Sequence, residues 1–237
     1  MPKLATEKDV FTKAFANLEQ DIPVGITPWL KKLKKDAAIQ FKELGLPTER
    51  RGNEEWKYTD ISPIAKVPFA PIKKIDGKKL SQDVLSNIFL GNPGWNRLLF
   101  VDGCFEPDLS FVNDTENIIL KNLQDIVDDK SYELDKHLSK YKDYSDNAFV
   151  ALNTAFIQDG ALIQIPDNGL VKEPIHIVYV TTASQTETAS HPRTLILGGK
   201  GSQAEIIESY WGLGNESYLT NAVTEIFVGQ FASIKYY

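Results

Sequence analysis

Residues 193–212, RTLILGGKGSQAEIIESYWG, decide the fold class. Two runs rich in isoleucine and leucine flank a glycine-rich segment, which is the pattern of consecutive β-strands. The segment GGKGS (198–202) lacks the Gly-Lys-Ser/Thr ending of a phosphate-binding loop, so we interpret it as a turn. Further runs of the same kind are ALIQI (161–165), PIHIVYVTT (174–182), NAVTEIFVG (221–229) and ASIKYY (232–237). The chain is therefore predicted to be β-rich after residue 160.

A weak internal repeat runs through the same region. Shifting the sequence against itself superposes three pairs of identical residues, namely Gly201 on Gly229, Ala204 on Ala232 and Ile206 on Ile234. Small and β-branched residues that return at one interval favour the stacked coils of a β-solenoid. An antiparallel sandwich also has closely spaced strands and is the alternative.

The first 45 residues have helical patterns. Thr6 can cap a helix over residues 7–20, in which apolar residues recur at helical spacing. A second helix is predicted from Thr27, its cap, to Gly45, with Pro28 in its first turn. Its apolar stripe consists of Leu30, Leu33, Ala37, Phe41 and Leu44, and its solvated face is expected to carry Lys31, Lys32, Lys34 and Lys35.

The middle of the chain has a mixed pattern that prolines interrupt. A short helix is expected at residues 80–90. The stretch NRLLFVDGCF (96–105) predicts a β-hairpin, because Asp-Gly is a preferred two-residue turn. Two or three further short helices are expected over residues 120–158, and the last of them is NAFVALNTAF (147–156).

Composition and charge exclude several classes of function. Lysine and arginine number 26 against 32 aspartates and glutamates, and the net charge of −6 argues against a nucleic-acid partner. No apolar run approaches the roughly 20 residues of a membrane helix, and the N-terminus lacks the apolar core of a signal peptide. We therefore expect a cytoplasmic protein without a membrane partner.

The residues that could carry chemistry are few and scattered. The single cysteine, Cys104, has acidic neighbours, which disfavour a reactive thiolate. His137, His176 and His191 have no second histidine or cysteine at the spacing of a metal site. His176 is expected to pack within a strand, and His191 is expected to have a structural role where a strand begins. The sequence thus predicts no catalytic, cofactor-binding or metal-binding residue, and it leaves the roles of His176, His191 and Cys104 open.

The stretch RGNEEWKYTDISPI (51–64) combines charges with aromatic rings. In an extended segment Trp56 and Tyr58 lie on the same side. Our hypothesis is that both rings dock this segment onto the fold, while the charged residues Arg50, Arg51, Glu54 and Glu55 pair around them. A substrate site is the alternative.

The same stretch resembles a signature of the SufB/SufD family, which belongs to the SUF machinery of iron–sulfur cluster assembly. Four further segments resemble SufD-type sequence in the same order: LLFVDGCFEPDLS (98–110), NAFVALNTAFIQDGALIQIPDNGLVKEPIHIVYV (147–180), SHPRTLILGGKGSQAEIIESYWG (190–212) and LTNAVTEIFVGQFASIKYY (219–237). The resemblance therefore covers nearly the whole chain.

This resemblance implies a mixed α and β fold, in which an N-terminal helical domain is followed by the start of a right-handed parallel β-helix. Together with the patterns above, it divides the chain at residue 145. Residues 1–145 form the helical domain with a connecting segment and the hairpin, and residues 146–237 form the first coils of the β-helix core. The C-terminal helical part of the family is absent from the sequence, so none of its residues can be assigned here.

The resemblance also implies a function. Members of the SufD type are non-catalytic scaffold subunits that act with a SufB-like paralogue and a SufC-like ATPase. The resemblance therefore implies that this chain alone binds no cofactor, and that iron or an iron–sulfur cluster is bound only transiently in the full complex. The final run, ASIKYY, has the pattern of a strand, so we expect either a longer natural chain or a homodimer through an exposed β edge.

Two other classes of function remain as alternatives. A polysaccharide lyase would need basic residues gathered on one face, and after residue 160 the chain offers only Lys172, Arg193, Lys200 and Lys235. The second alternative is an acidic β-solenoid that binds another protein and has no metal role, since the acidic residues are concentrated in the middle of the chain.

Overall fold

The computed structural model describes residues 26–48, 54–72, 80–113, 118–141, 144–184 and 187–237. The α-helices are α1 (Pro28–Leu44), α2 (Ser62–Ala65), α3 (Gln82–Ile88), α4 (Leu123–Ile126), α5 (Leu134–His137) and α6 (Ala148–Phe156). Short 3-10 helices cover Glu54–Trp56, Pro107–Leu109 and Lys130–Tyr132. The helix predicted over residues 7–20 lies outside the described residues. Within them, no helix is both long and apolar enough to cross a bilayer.

The strands are β1 (Ala70–Pro71), β2 (Arg97–Val101), β3 (Cys104–Phe105), β4 (Ile119–Asn122), β5 (Gly160–Ile165), β6 (Ile175–Thr181), β7 (Thr188–Ser190), β8 (Arg193–Gly198), β9 (Gln203–Gly212), β10 (Tyr218–Thr220), β11 (Val223–Val228) and β12 (Ser233–Tyr236). All the runs quoted after residue 160, together with both halves of residues 193–212, contain a strand. The turn predicted at GGKGS joins β8 to β9. The short strands β7 and β10 were not predicted.

Three sheets contain all twelve strands. Their orders are β1-β7-β10, β11-β8-β5-β4 and β12-β9-β6-β2-β3. Neighbouring strands are parallel except for the pairs β2–β3 and β4–β5. Consequently each sheet has one of the three last strands, β10, β11 or β12, at its edge.

The predicted right-handed parallel β-helix is wrong. The structure is mixed α and β, and its described strands stay in three sheets that do not close into a solenoid. Two of these sheets also carry an antiparallel strand, β3 or β4, at one edge. The antiparallel sandwich is wrong too, because the strands after residue 160 pair with one another in parallel. Apolar runs reveal strands, but pairing and closure depend on the intervening turns, which have no comparable signature.

The internal repeat has a longer offset than the sequence identities indicated. In the parallel register, Val223 lies beside Arg193, and Ile234 lies beside Ala204 instead of Ile206. The identities found in the sequence were therefore coincidental. At the true offset the turn residue Gly201 corresponds to Phe231, and both have a left-handed backbone, with φ of 67° and 62°.

The predicted hairpin is confirmed. Strands β2 and β3 pair in an antiparallel register around Asp102 and Gly103. Both turn residues have positive φ, 49° and 78°, as a type I′ turn requires.

Helix α1 is confirmed with the bounds that its sequence predicted. It begins at Pro28 and ends at Leu44, and Gly45 follows with φ of 66°. The proposed cap is wrong, because the Thr27 side chain makes no capping hydrogen bond. Ala37 and Phe41 are buried against α6, as the apolar stripe predicted.

Lys34 is a further correction, since it is buried and does not lie on a solvated face of α1. Its side chain is 5% exposed, and its ammonium group donates to the carbonyl oxygen of Ile157 over 2.7 Å. Ile157 directly follows α6, and the carbonyl groups at the end of a helix attract a cation. The lysine thus joins α1 to the end of α6. Burial lowers the pKa of Lys34 to about 8.

One part of the hydrophobic core lies between two sheets, and other parts lie between a sheet and the helices that cover it. Inner faces of the four- and five-stranded sheets share one cluster, which includes Leu98, Phe100, Leu120, Ile163, Ile177, Ile196 and Ile206. Helices α4 and α5 cover the outer face of the four-stranded sheet together with Trp29, Leu30 and Leu33 of α1. Helix α3 covers the outer face of β2 and β6. Strands β2 and β4 thus share a core with the strands after residue 160, and a domain boundary at residue 145 stays a prediction.

Candidate functional site

A fully buried ion pair connects the four-stranded sheet to the helices. Arg193 at the start of β8 and Glu225 in β11 are 0% and 1% exposed. The Arg193 Nε donates to Oε1 of Glu225 over 3.0 Å, and Nη2 donates to the same oxygen. Burial lowers the pKa of Arg193, whereas the adjacent Glu225 carboxylate raises it.

Both partners of this pair have further contacts. Arg193 donates to Asn153 Oδ1 of α6 over 3.0 Å and to Ser139 Oγ over 2.9 Å. Glu225 accepts from the backbone N–H groups of Ser139 and Tyr141, over 2.9 and 3.0 Å. Because every contact is internal, we assign Arg193 a structural role, and it is not available to bind a polysaccharide. Lys172, Lys200 and Lys235 are exposed.

Two buried carboxylates also hold strands and turns together. Asp102 accepts from the backbone N–H and the hydroxyl of Thr182, over 2.8 and 2.7 Å, and so fixes the hairpin turn to the end of β6. Asp159 accepts from the backbone of Gly160 and Gln124 and from Phe105 of β3. Burial raises the pKa of Asp159, although these hydrogen bonds oppose the rise.

The histidines occupy packing positions where the sequence placed His176 and His191. His176 is fully buried in β6, and its Nε2 lies 2.8 Å from the hydroxyl of Ser209 on β9. Burial and the nearby Arg97 lower the pKa of His176 to about 4. His191 stacks on Phe156 with ring centroids 5.3 Å apart. Burial and the charge of Lys34 lower the pKa of His191 to about 3, so both rings are neutral at neutral pH.

The remaining candidate residues are dispersed. Cys104 begins β3 and is partly exposed. His137 lies at the end of α5, where Nδ1 is 2.6 Å from the hydroxyl of Tyr141. Among the described residues, no three histidine, cysteine, aspartate or glutamate side chains are grouped as a metal site.

The clamp hypothesis is correct for one ring and wrong for the other. Trp56 packs on Phe149 of α6 with ring centroids 5.1 Å apart. Tyr58 is 89% exposed, and its ring centroid lies 5.5 Å from the ammonium group of the adjacent Lys57, so this ring is not packed onto the fold. Residues 54–56 form a 3-10 turn, and the alternation expected of an extended segment therefore fails. Glu54 pairs weakly with Lys57, over 3.9 Å, while Arg50 and Arg51 lie outside the described residues.

Several exposed apolar side chains lie on and beside the last strands. We call this set the edge surface, and it consists of Phe227, Val228, Phe231, Tyr236 and Tyr237, which are 44%, 49%, 80%, 40% and 63% exposed. In the described part of the chain, no strand pairs with the outer edge of β10, β11 or β12. Unpaired backbone groups beside apolar side chains favour pairing with another polypeptide.

Phe231 is the most unusual residue of the edge surface. A left-handed backbone suits glycine or asparagine, and the corresponding turn positions hold Gly201 and, one strand earlier, Asn168 with φ of 59°. A bulky residue in this conformation is strained. Its exposed side chain gains little from packing within the chain.

A cluster of hydroxyl groups around Glu208 borders this surface. The carboxylate accepts from Tyr210, from Tyr236 over 2.9 Å and from Thr224 over 3.2 Å. Burial and the negative charge of Glu208 raise the pKa of Tyr236 to about 12, and the pKa of Tyr210 rises for the same reasons. Both phenols therefore stay protonated. Tyr236 joins β12 to β9 and Thr224 joins β11 to β9, whereas the Tyr210 hydrogen bond lies within β9.

Sequence comparison decides the family. Residues 5–177 match the family model described as the SufBD protein N-terminal region, and residues 179–237 match the model described as the SUF system FeS cluster assembly, SufBD core domain. This chain belongs to the SufBD family. The resemblance drawn from the sequence segments is thus confirmed.

Curated relatives agree with this assignment. An iron–sulfur cluster assembly SufBD family protein of Synechocystis sp. is 30% identical over 210 residues, which cover 85% of this chain and 45% of the relative. The iron–sulfur cluster assembly protein SufD of Bacillus subtilis is 23% identical over 240 residues, which cover 99% of this chain and 52% of that protein. A chloroplastic SufBD family protein of Arabidopsis thaliana is 37% identical over 105 residues, covering 43% of this chain and 18% of the relative. The chain spans about half the length of the first two relatives.

The sequence did not predict the Arg193–Glu225 ion pair or the strained left-handed backbone of Phe231. Arg193 and Glu225 are far apart in the sequence and gave no motif, because only the parallel register of β8 and β11 brings them together. With the correct register of β8 and β11, the sequence would have suggested this ion pair, because each of these mostly apolar strands contains one charged residue.

Proposed function

We propose that this chain is a SufD-like, non-catalytic scaffold subunit of iron–sulfur cluster assembly in the cytoplasm. The observation that carries the proposal is the pair of consecutive family matches, which together extend from residue 5 to residue 237. The relatives' names connect them with cluster assembly. By this proposal the chain acts with a SufB-like paralogue and a SufC-like ATPase, and iron or a cluster is transient cargo of the full complex.

The roles of the buried polar groups support a scaffold. Arg193, Glu225, Asp102 and Asp159 are each occupied by several internal hydrogen bonds that join strands to turns or helices. The neutral His176 is fully buried, and the neutral His191 stacks on Phe156. Such groups stabilise the shape of the molecule and leave its surface to bind partners.

Affinity purification tests the proposed partners. The chain carries an N-terminal tag at its own locus, and proteins that co-purify from iron-limited cells are quantified by mass spectrometry. We expect a SufB-like and a SufC-like protein, each enriched over an untagged strain. Recovery of other proteins without either of these would favour the alternative interaction module that has no metal role.

We further propose that the edge surface allows two copies to associate. The unpaired edges of β11 and β12 and the exposed Phe227 and Phe231 support this proposal. Light scattering of the purified chain should show a concentration-dependent dimer, which Phe227→Lys with Phe231→Lys reduces. The matched control is Ile39→Lys on α1, where the replaced side chain is 48% exposed. A monomer at all concentrations, or an equal effect of Ile39→Lys, would contradict it.

A further inference from the structure

A cavity of about 170 Å³ lies where the five-stranded sheet meets the three-stranded sheet. Its wall includes Phe100 of β2, Tyr179 of β6, Tyr210 of β9 and Tyr218 of β10, together with Trp211. An apolar cavity of about 150 Å³ is large enough to hold benzene or xenon. The space therefore fits a single six-membered ring.

The aromatic wall is ordered by stacking. Ring centroids of Phe100 and Tyr179 are 4.9 Å apart, and those of Tyr179 and Tyr210 are 5.4 Å apart. Because neighbours in the stack occupy the faces of Tyr179, its edge is the part left for a ligand. Ring edges carry positive partial charge and attract the face of another aromatic ring.

Two hydroxyl-bearing residues also line the cavity. Thr181 and Ser190 both line it and are 6% and 5% exposed. Neither hydroxyl belongs to the buried side-chain atoms that lack a partner in the described residues, so neither oxygen is an orphaned buried atom. A hydroxyl that lines a cavity can bond to water or to a polar substituent of a ligand.

The lining residues favour a neutral ligand over a charged one. No charged side chain belongs to the described lining, so a charged ligand would lose its hydration without compensation. Tyr210 and Tyr218 are 44% and 37% exposed, which gives the cavity an opening to solvent. Thr220 also lines the cavity and is half-buried.

We propose that this cavity binds a small neutral aromatic alcohol, of the phenol class. The ring lies against the edge of Tyr179, and the ligand hydroxyl bonds to Ser190. The site is separate from the edge surface and does not depend on the role in cluster assembly.

Four probes of similar size test this site on the purified chain. Binding is measured by saturation-transfer NMR and by the shift in melting temperature. Phenol is expected to bind best, benzene more weakly and cyclohexanol more weakly than phenol, while phenyl phosphate gives no signal. Equal signals for phenol and phenyl phosphate, or no signal for phenol, would overturn the proposal.

Two variants locate the binding. Thr220→Phe adds a ring to the cavity lining and should abolish the phenol signal, whereas Thr59→Phe, the same change at an exposed position, should leave it unchanged. Ser190→Val should weaken phenol about fivefold, as expected for one neutral hydrogen bond, and leave benzene unaffected. If Thr220→Phe does not fold, Ser190→Val alone decides, and unchanged phenol affinity in a folded Ser190→Val protein would refute the assigned hydroxyl contact.

Discussion

The ion pair between Arg193 and Glu225 gives the sharpest prediction about stability. Replacing Glu225 by glutamine keeps the size of the side chain and one carbonyl oxygen but removes the negative charge. Arg193 is then a buried cation without a counter-ion, because its other partners, Asn153, Thr154 and Ser139, are neutral. Arg193→Met removes the cation and leaves a buried carboxylate that retains the backbone donors of Ser139 and Tyr141.

The expected magnitudes follow from burial. Removal of one partner from a buried ion pair typically costs about 3–5 kcal/mol, and we expect about 3 kcal/mol for each single variant because neutral partners remain. In the double variant no uncompensated charge is buried. Its loss of unfolding free energy should therefore be smaller than the sum of the single losses by about 2 kcal/mol or more.

Urea denaturation of the wild type and the three variants measures these values, with circular dichroism and tryptophan fluorescence as independent probes. The control cycle uses Lys235→Met and Glu205→Gln, an exposed pair at 3.8 Å, for which the coupling should be about 0.5 kcal/mol or less. Additive losses for Arg193 and Glu225 would contradict this prediction, because they would mean that the two charges do not stabilise each other inside the fold.

Three other perturbations have defined outcomes. His176 and His191 have pKa values of about 4 and about 3 in the fold, against 6.5 for an ordinary histidine, so the stability they contribute above pH 6.5 should be lost as the pH falls from 6.5 through their folded values. The urea midpoints of the wild type and of His176→Asn should therefore converge between pH 7 and pH 4, and parallel curves would contradict this. The pKa of Lys34 is about 8 in the fold, against 10.5 for an ordinary lysine, so the unfolding free energy should rise between pH 8 and pH 10.5. Lys34→Met should lack this rise, and an equal rise in both proteins would contradict the prediction. Phe231→Gly should raise the unfolding free energy by about 1 kcal/mol, because glycine relieves the left-handed strain, whereas Gly201→Ala should lower the unfolding free energy. A loss of stability in Phe231→Gly would instead show that the ring packs within the chain.

Local patterns in the sequence predicted the elements of the fold well. Helix α1 begins and ends where Pro28 and Gly45 indicated, and the Asp102-Gly103 turn forms the expected hairpin. These features depend on backbone preferences of a few adjacent residues, which any sequence displays directly. The apolar runs after residue 160 likewise identified strands, because β-branched residues between turn residues have a strong preference.

Long-range relations were predicted poorly. The repeat found in the sequence relied on identities such as Gly201 with Gly229, whereas the true register makes Phe231 the counterpart of Gly201. Lys34 was expected in solvent, yet the end of α6 provides a carbonyl partner that no helical pattern in α1 reveals. The extended geometry assumed for Trp56 and Tyr58 failed, because residues 54–56 turn.

We propose a role in iron–sulfur cluster assembly for this SufBD family chain. Its most direct test is the activity of an iron–sulfur enzyme in extracts of a strain that lacks the gene, measured before and after chemical reconstitution with iron and sulfide. We expect reduced enzyme activity in the deletion strain. Reconstitution should restore this activity in the extract, and a plasmid copy of the gene should restore it in the cell. Full activity in the deletion strain under iron limitation would contradict the account.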